Sequence, residues 1–129
     1  MNVLGTHVLL DLRECDPQLL NDLDHIRNEL LKAAAAVDAH VVGESFHQFT
    51  PQGVTGILSI AESHISIHTW PEHRYAAADI FTCGDQTMPG RAANLIIEAL
   101  GCRAPQITEI RRGLNESIVA DLQSVHLVK

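Results

Sequence analysis

The sequence predicts an α/β fold of the α+β kind: a two-layer sandwich in which a mainly antiparallel sheet carries two helices on one face. Three observations carry that prediction. Strand-length apolar runs follow one another through the middle of the chain with turn residues between them. Two longer stretches, one on each side of that block, repeat their apolar residues at threes and fours instead. At 129 residues the chain is long enough for one real core and too short for two comfortable ones, so residues 1–129 form one domain.

His7 to Leu12 is the first strand, an apolar-rich run closed by the charged Arg13 and Glu14. Asp16-Pro17 then signals a helix start, because the carboxylate can cap unpaired amides and proline is pre-shaped for the first helical position. That helix is expected to run to about Ala39, with Leu19, Leu20, Leu23, Ile26, Leu30, Leu31 and Ala34 forming one apolar stripe and His25 facing solvent. His40 to Phe49 reads as a strand, and Thr50-Pro51-Gln52-Gly53 supplies the turn into Val54 to Ile60, giving a hairpin. Ile65, Ile67 and Thr69 then alternate with His64, Ser66 and His68, which puts Ser66 and His68 on one face. After a turn at Pro71, Tyr75 to Thr82 is a further strand that ends at Cys83-Gly84. A second amphipathic helix runs from about Pro89 to Leu100 and stops at Gly101, and Gln106 to Arg111 is the last clear strand. The segment after Gly113 is polar and has the composition of a loop or a lid.

Composition narrows the functional classes. Apolar residues make up 46% and charged residues 19%, which is globular rather than disordered. No run approaches the ~20 apolar residues of a membrane span, and the N-terminus lacks a secretory pattern, so the expected location is the cytoplasm. A net charge of -7 disfavours nucleic acid as a partner; it suits a cationic ligand and equally serves solubility. Cys15, Cys83 and Cys102 have no CxxC spacing and an odd count, which reads as thiols in a reducing compartment rather than a disulfide scaffold or zinc ribbon.

Chemistry concentrates in Glu62-Ser63-His64-Ile65-Ser66-Ile67-His68-Thr69-Trp70-Pro71-Glu72, followed by Phe81-Thr82-Cys83-Gly84. Taken singly, each feature has a plain structural reading: Ser63 and His68 as a surface pair, Cys83 as a small buried hydrophobe, Phe49 and Trp70 as core. Together with Leu4-Gly5-Thr6-His7 and Phe46-His47-Gln48-Phe49, they resemble the short bacterial class of the S-adenosylmethionine decarboxylase proenzyme family, whose members make their own pyruvoyl cofactor. The resemblance covers most of the chain and fades in its last forty or so residues.

The resemblance implies self-cleavage between Glu62 and Ser63 into chains 1–62 and 63–129, with Ser63 becoming the pyruvoyl group that forms a Schiff base with the substrate. His68 is then the processing base, Thr55 a processing hydroxyl where many members carry serine, and Cys83 the proton donor in decarboxylation. Phe49 and Trp70 are candidates to stack on an adenine or lie beside a sulfonium, and Glu72 to accept hydroxyl or ammonium hydrogen bonds. The implied substrate is S-adenosylmethionine, whose decarboxylated product donates aminopropyl groups to spermidine, and the implied assembly is a homodimer with sites near its interface. Pyridoxal phosphate is not expected, since only Lys32 and Lys129 are available and neither sits in a phosphate cradle. Two alternatives remain open: a basic amino acid such as arginine or ornithine as substrate, and an inactive homologue that regulates another subunit. His73-Arg74 departs from the small or aromatic residues common after the family's glutamate, and Arg74 is positioned to pair with Glu72. His40, His47, His64, His68 and His73 invite a metal hypothesis, but the chain lacks HExxH and a third ligand is unassigned, so no metal is expected.

Overall fold

The structure, a computed structural model, describes residues 3–61, 63–83 and 89–113. Six strands form one sheet in the order β2-β3-β4-β5-β1-β6. They are β1 (Gly5–Arg13), β2 (Val41–Gln48), β3 (Val54–Ile60), β4 (Ser63–Trp70), β5 (Tyr75–Cys83) and β6 (Ala104–Arg112). Every neighbouring pair is antiparallel, as short hairpins through the middle of the chain require. The first strand lies inside the sheet, between β5 and β6.

Alternation divides the sheet into two unlike faces. Val8, Leu10 and Leu12 of β1, Leu58 and Ile60 of β3, Ile65 and Ile67 of β4, and Ala76, Ala78 and Ile80 of β5 are all buried on one side. The helices α2 (Leu23–Ala36) and α3 (Pro89–Ala99) cover that side, supplying Ile26, Leu30, Ala33 and Ala34 from one and Ala92, Ala93 and Ile96 from the other. The other face carries no helix among the described residues. It presents Ile57, Trp70 and Ile110, each at least 40% exposed, together with most of the polar residues singled out above.

The predicted first helix divides in two, a four-residue α1 (Pro17–Leu20) and then α2, which ends at Ala36 rather than Ala39. The break has one local and one long-range cause. The Asp22 side chain accepts from the His25 amide at 3.0 Å and starts a new helix, while the Asn21 side chain accepts from the Gly53 amide and the Gln48 amide group, each at 2.9 Å. Asn21 thereby fastens the β2–β3 turn instead of continuing a helix. His25 is half-buried rather than solvent-facing, because its ring Nε2 is 2.8 Å from the Ala99 carbonyl at the end of α3. The segment after Gly113, read from sequence as loop or lid, lies outside the described residues, as do Glu62 and Gly84.

Candidate active site

The residues singled out from sequence separate into two groups at opposite ends of the sheet. At one end, Ile60 of β3 pairs with Ser63 of β4, so only two residues make the turn before the serine. Ala61, the first of them, has φ +50, in the left-handed region that costs an L-residue with a Cβ roughly 1–2 kcal/mol. Two-residue hairpin turns of the type that matches strand twist demand positive φ there, and alanine is not the residue that meets this cheaply. Strain is therefore stored immediately upstream of the serine.

Ser63 borders two recesses. One, of about 400 Å³, lies at the margin of the helix-covered face and is lined by Ser63, Thr82 and Cys83 together with Ile60, Ile80 and His40. The other opens toward the bare face, between Ser63, His64, Phe81, Gly5 and Arg112. Cys83 closes β5 opposite Gly5 and is half-buried, so the predicted cofactor residue and the predicted proton donor share one end of the sheet on neighbouring strands. Thr82 is a residue that the sequence reading missed. Its side chain is 2% exposed, and its hydroxyl is the buried side-chain polar atom without a hydrogen-bond partner among the described residues. A buried unpaired hydroxyl costs about 1–3 kcal/mol, so one that lines the recess beside Ser63 marks a place for an acceptor.

At the other end, Thr55 and His68 face each other across β3 and β4, and the threonine hydroxyl lies 3.0 Å from His68 Nδ1. With the hydroxyl donating, the ring proton sits on Nε2 and points away from Thr55. Trp70 is 40% exposed, its ring 5.5 Å from Tyr75 and 6.4 Å from His68. Phe49, 46% exposed, sits edge-on to His47 at 4.5 Å. Neither aromatic is core, which answers the structural reading of both. Glu72 is exposed in the 3-10 turn Pro71–His73, and among the described residues it makes no ion pair with Arg74.

Ser63 and His68 are thus not brought together within one chain. Five residues of strand set them about 16 Å apart at ~3.3 Å per residue, and the odd spacing turns them to opposite faces. The serine–histidine pair read from sequence is a pair along the chain but not across a reaction distance.

Between the two ends, on the bare face, lies a network whose centre the sequence reading also missed. Asp79 accepts from His7 and from Ser66, and from His64 at 3.1 Å. Burial works to raise the pKa of Asp79, but the hydrogen bonds from Ser66, His7 and His64 outweigh it, and the carboxyl is held below its ordinary value. The ligating atoms of His7, His64 and Asp79 lie within 4.8 Å of one another, a different set from the histidines clustered in sequence. His64 and His68 are four strand residues apart, roughly 13 Å, too far to share an ion. Arg112 Nη1 stands 3.4 Å from His7 Nδ1 and donates to it, which leaves His7 its proton on Nε2 for Asp79. Part of the signal for this centre was present in the sequence as alternation: Asp79 in β5 lies between the buried Ala78 and Ile80, and His7 in β1 precedes the run in which Val8, Leu10 and Leu12 are buried.

A family model described as S-adenosylmethionine decarboxylase matches residues 6–113. The chain is 47% identical over 114 residues to the S-adenosylmethionine decarboxylase proenzyme of Thermodesulfovibrio yellowstonii, covering 88% of this chain and 84% of that one. It is 45% identical over 120 residues to the S-adenosylmethionine decarboxylase proenzyme of Clostridium tetani, covering 93% and 95%. The crystal structure of the adenosylmethionine decarboxylase from Aquifex aeolicus superimposes with a TM-score of 0.83 at 36% identity, covering 90% of this chain and 96% of the other.

Proposed function

Because the chain belongs to the S-adenosylmethionine decarboxylase family, we propose that it releases carbon dioxide from S-adenosylmethionine, giving the aminopropyl donor for spermidine synthesis, with a pyruvoyl group made from Ser63. The observation that carries the cofactor reading is the two-residue turn with a left-handed Ala61 immediately upstream of a serine that borders a recess shared with Thr82 and Cys83. These residues fit a backbone-derived carbonyl group: a nucleophilic hydroxyl, local strain, a buried donor without a partner among the described residues, and a thiol on the next strand.

In processing, the Ser63 hydroxyl attacks the carbonyl carbon of Glu62 and the Glu62–Ser63 amide bond breaks, leaving an ester and a new amine. The Thr82 hydroxyl donates to the oxygen that gains negative charge during this shift. A base then removes the serine α-proton, and elimination releases the Glu62 carboxylate. Loss of ammonia by hydrolysis completes the conversion of Ser63. Pyruvoyl chemistry supplies the electron sink that decarboxylation of an amino acid requires. Cys83 returns a proton to the substrate α-carbon from its thiol.

The same geometry supports a homodimer. The base assigned to processing, His68 with Thr55, and the substrate residues Phe49, Trp70 and Glu72 lie at the far end of the sheet from Ser63 and Cys83. A second copy stacked bare face to bare face, about a two-fold axis lying between the sheets and across the strands, brings the far end of each sheet to the Ser63 end of the other. Each site then takes its electrophile, Cys83 and Thr82 from one protomer, and its Thr55–His68 pair, aromatics and Glu72 from the partner. The exposed Ile57, Trp70 and Ile110 are the apolar groups such stacking would cover. No helix of the described residues is long and apolar enough to cross a membrane.

Intact mass of the purified protein tests the reading, followed by carbon dioxide release from adenosylmethionine, arginine and ornithine in parallel. Two chains meeting at Glu62 and Ser63, the second reactive toward a carbonyl reagent, and turnover of adenosylmethionine alone are expected. Ser63→Ala is expected to remain uncut and inactive; cleavage of that variant at the same bond sinks the mechanism.

A further inference from the structure

Two thiols that this chemistry does not use, Cys15 and Cys102, meet where β1 leads into α1 and α3 leads into β6. Backbone hydrogen bonds flank them on both sides. The Arg103 amide donates to the Glu14 carbonyl at 3.3 Å, and the Asp16 amide donates to the Leu100 carbonyl at 3.0 Å. The first bond continues the β1–β6 register, whose last pair is Arg13 with Ala104, and sets residue 15 against residue 102; the second is offset by one residue at Gly101. Opposed residues of an antiparallel pair have Cα atoms ~4.5–5.5 Å apart, a spacing that matches the ~4.4–6.8 Å window of a disulfide.

The side chains converge as well. The Cys15 thiol donates to the Leu12 carbonyl at 3.4 Å and the Cys102 thiol to the Arg13 carbonyl at 3.1 Å, so both sulfurs gather over consecutive residues at the end of β1. The two thiols also interact directly. Burial first, then the charge of Cys102 and a hydrogen bond with it, push the Cys15 thiol up to about 12. Their surroundings are unequal, since Cys15 is 1% exposed while Cys102 is partly open to solvent.

We propose that Cys15 and Cys102 form a reversible disulfide when the protein meets a low-molecular-weight disulfide such as oxidised glutathione, and that this bond covalently rejoins the two chains that cleavage before Ser63 leaves. The second clause rests on the proposed cleavage, which puts Cys15 in the first chain and Cys102 in the second; the first clause does not.

The exchange balances in two steps. The more exposed Cys102, as thiolate, attacks one sulfur of oxidised glutathione; its S–S bond breaks, one glutathione leaves as thiol, and a mixed disulfide remains on Cys102. Cys15 then loses its proton to water and attacks Cys102 Sγ, the mixed S–S bond breaks, and the second glutathione leaves as thiol. Two protein thiols are oxidised and one glutathione disulfide is reduced. In the mixed disulfide Cys102 no longer bears a charge, so the second of the causes that hold the Cys15 proton is removed at the moment Cys15 must act. The closing step remains the slow one and accelerates with pH. The bond would lie against the substrate end of the sheet, since the Cys15 amide donates to the Arg74 carbonyl at 3.0 Å, two residues past Glu72.

The test uses the full chain carrying Cys83→Ala, so that Cys15 and Cys102 are its only thiols. It is incubated folded with oxidised glutathione, alkylated, denatured and weighed. The expected product is one species, the two chains joined and two hydrogens lighter than their sum, which a dithiol reductant separates. Adding Cys15→Ser is expected to stop the reaction at a glutathione adduct on Cys102. Two separate chains without reductant, an unchanged mass, or an adduct that persists with both cysteines present overturns the proposal. Failure of cleavage reads differently: the two hydrogens are still lost, but the reductant yields one uncut chain. Ser63→Ala with Cys83→Ala gives the same loss of two hydrogens in a chain that was never cut.

Discussion

The two ends of the sheet are built from the same strands and do different work. At the Ser63 end the features are strain and incompleteness: a left-handed alanine, a buried hydroxyl without a partner among the described residues, and a half-buried thiol. At the Thr55–His68 end the polar groups are already paired or solvated, and the aromatics are exposed rather than packed. In the proposed function one end makes bonds, and the other serves recognition and proton removal. A single sheet cannot bring its own two ends together, so the separation is itself an argument for a second copy.

The largest effect follows from breaking each end in a different chain. His68→Ala alone and Ser63→Ala alone are each expected to remain uncut. Co-expressed with distinguishable tags, the two variants form mixed dimers in which one site keeps Ser63 from the His68→Ala chain and His68 from the Ser63→Ala chain. Cleavage of the His68→Ala chain only, with decarboxylation restored, is the expected result by mass and carbon dioxide release. If no cut chain appears in purified mixed dimers, the two ends do not act on one another.

Much of this division was legible in the sequence. The period-two pattern through His64 to Trp70 gave β4 its two faces, and every strand and the second long helix lie within a few residues of where periodicity puts them. What pattern could not give was long-range partnership. The helix break at Asn21 depends on hydrogen bonds to Gln48 and Gly53, more than twenty-five residues away. His7 and Asp79 are 72 residues apart and meet only because β1 inserts beside β5. Ser63 and His68 illustrate the converse error: closeness along a strand is not closeness in space when each residue advances ~3.3 Å. The family motif located the residues, while the register decided which of them lie at one end of the sheet.

Removing the thiol sharpens the comparison within the Ser63 end. Cys83→Ala is expected to leave chain cleavage intact and lower kcat by about 10²–10⁴-fold, the usual contribution of a positioned proton donor. Quantifying cut chain by mass and turnover by carbon dioxide release separates the two effects. Equal loss of cleavage and turnover would mean that the thiol supports the turn rather than the proton transfer.

Thr82→Val carries the smallest effect and the most pointed one, because its two consequences have opposite signs. Valine keeps the shape of the side chain and deletes only the hydroxyl that has no partner among the described residues. If that hydroxyl served nothing, removing it would relieve up to about 1–3 kcal/mol of burial cost and change no rate. If it donates to the oxygen that gains charge beside Ser63, the variant is more stable to denaturant and yet processes roughly two- to tenfold more slowly, the value of one hydrogen bond of ~0.5–1.5 kcal/mol. Denaturation midpoint and cleavage half-time, measured on the same preparations, distinguish these cases. A gain in stability bought at a loss of rate would mark Thr82 as an acceptor's partner held in waiting, which is the property that sets this end of the sheet apart from the other.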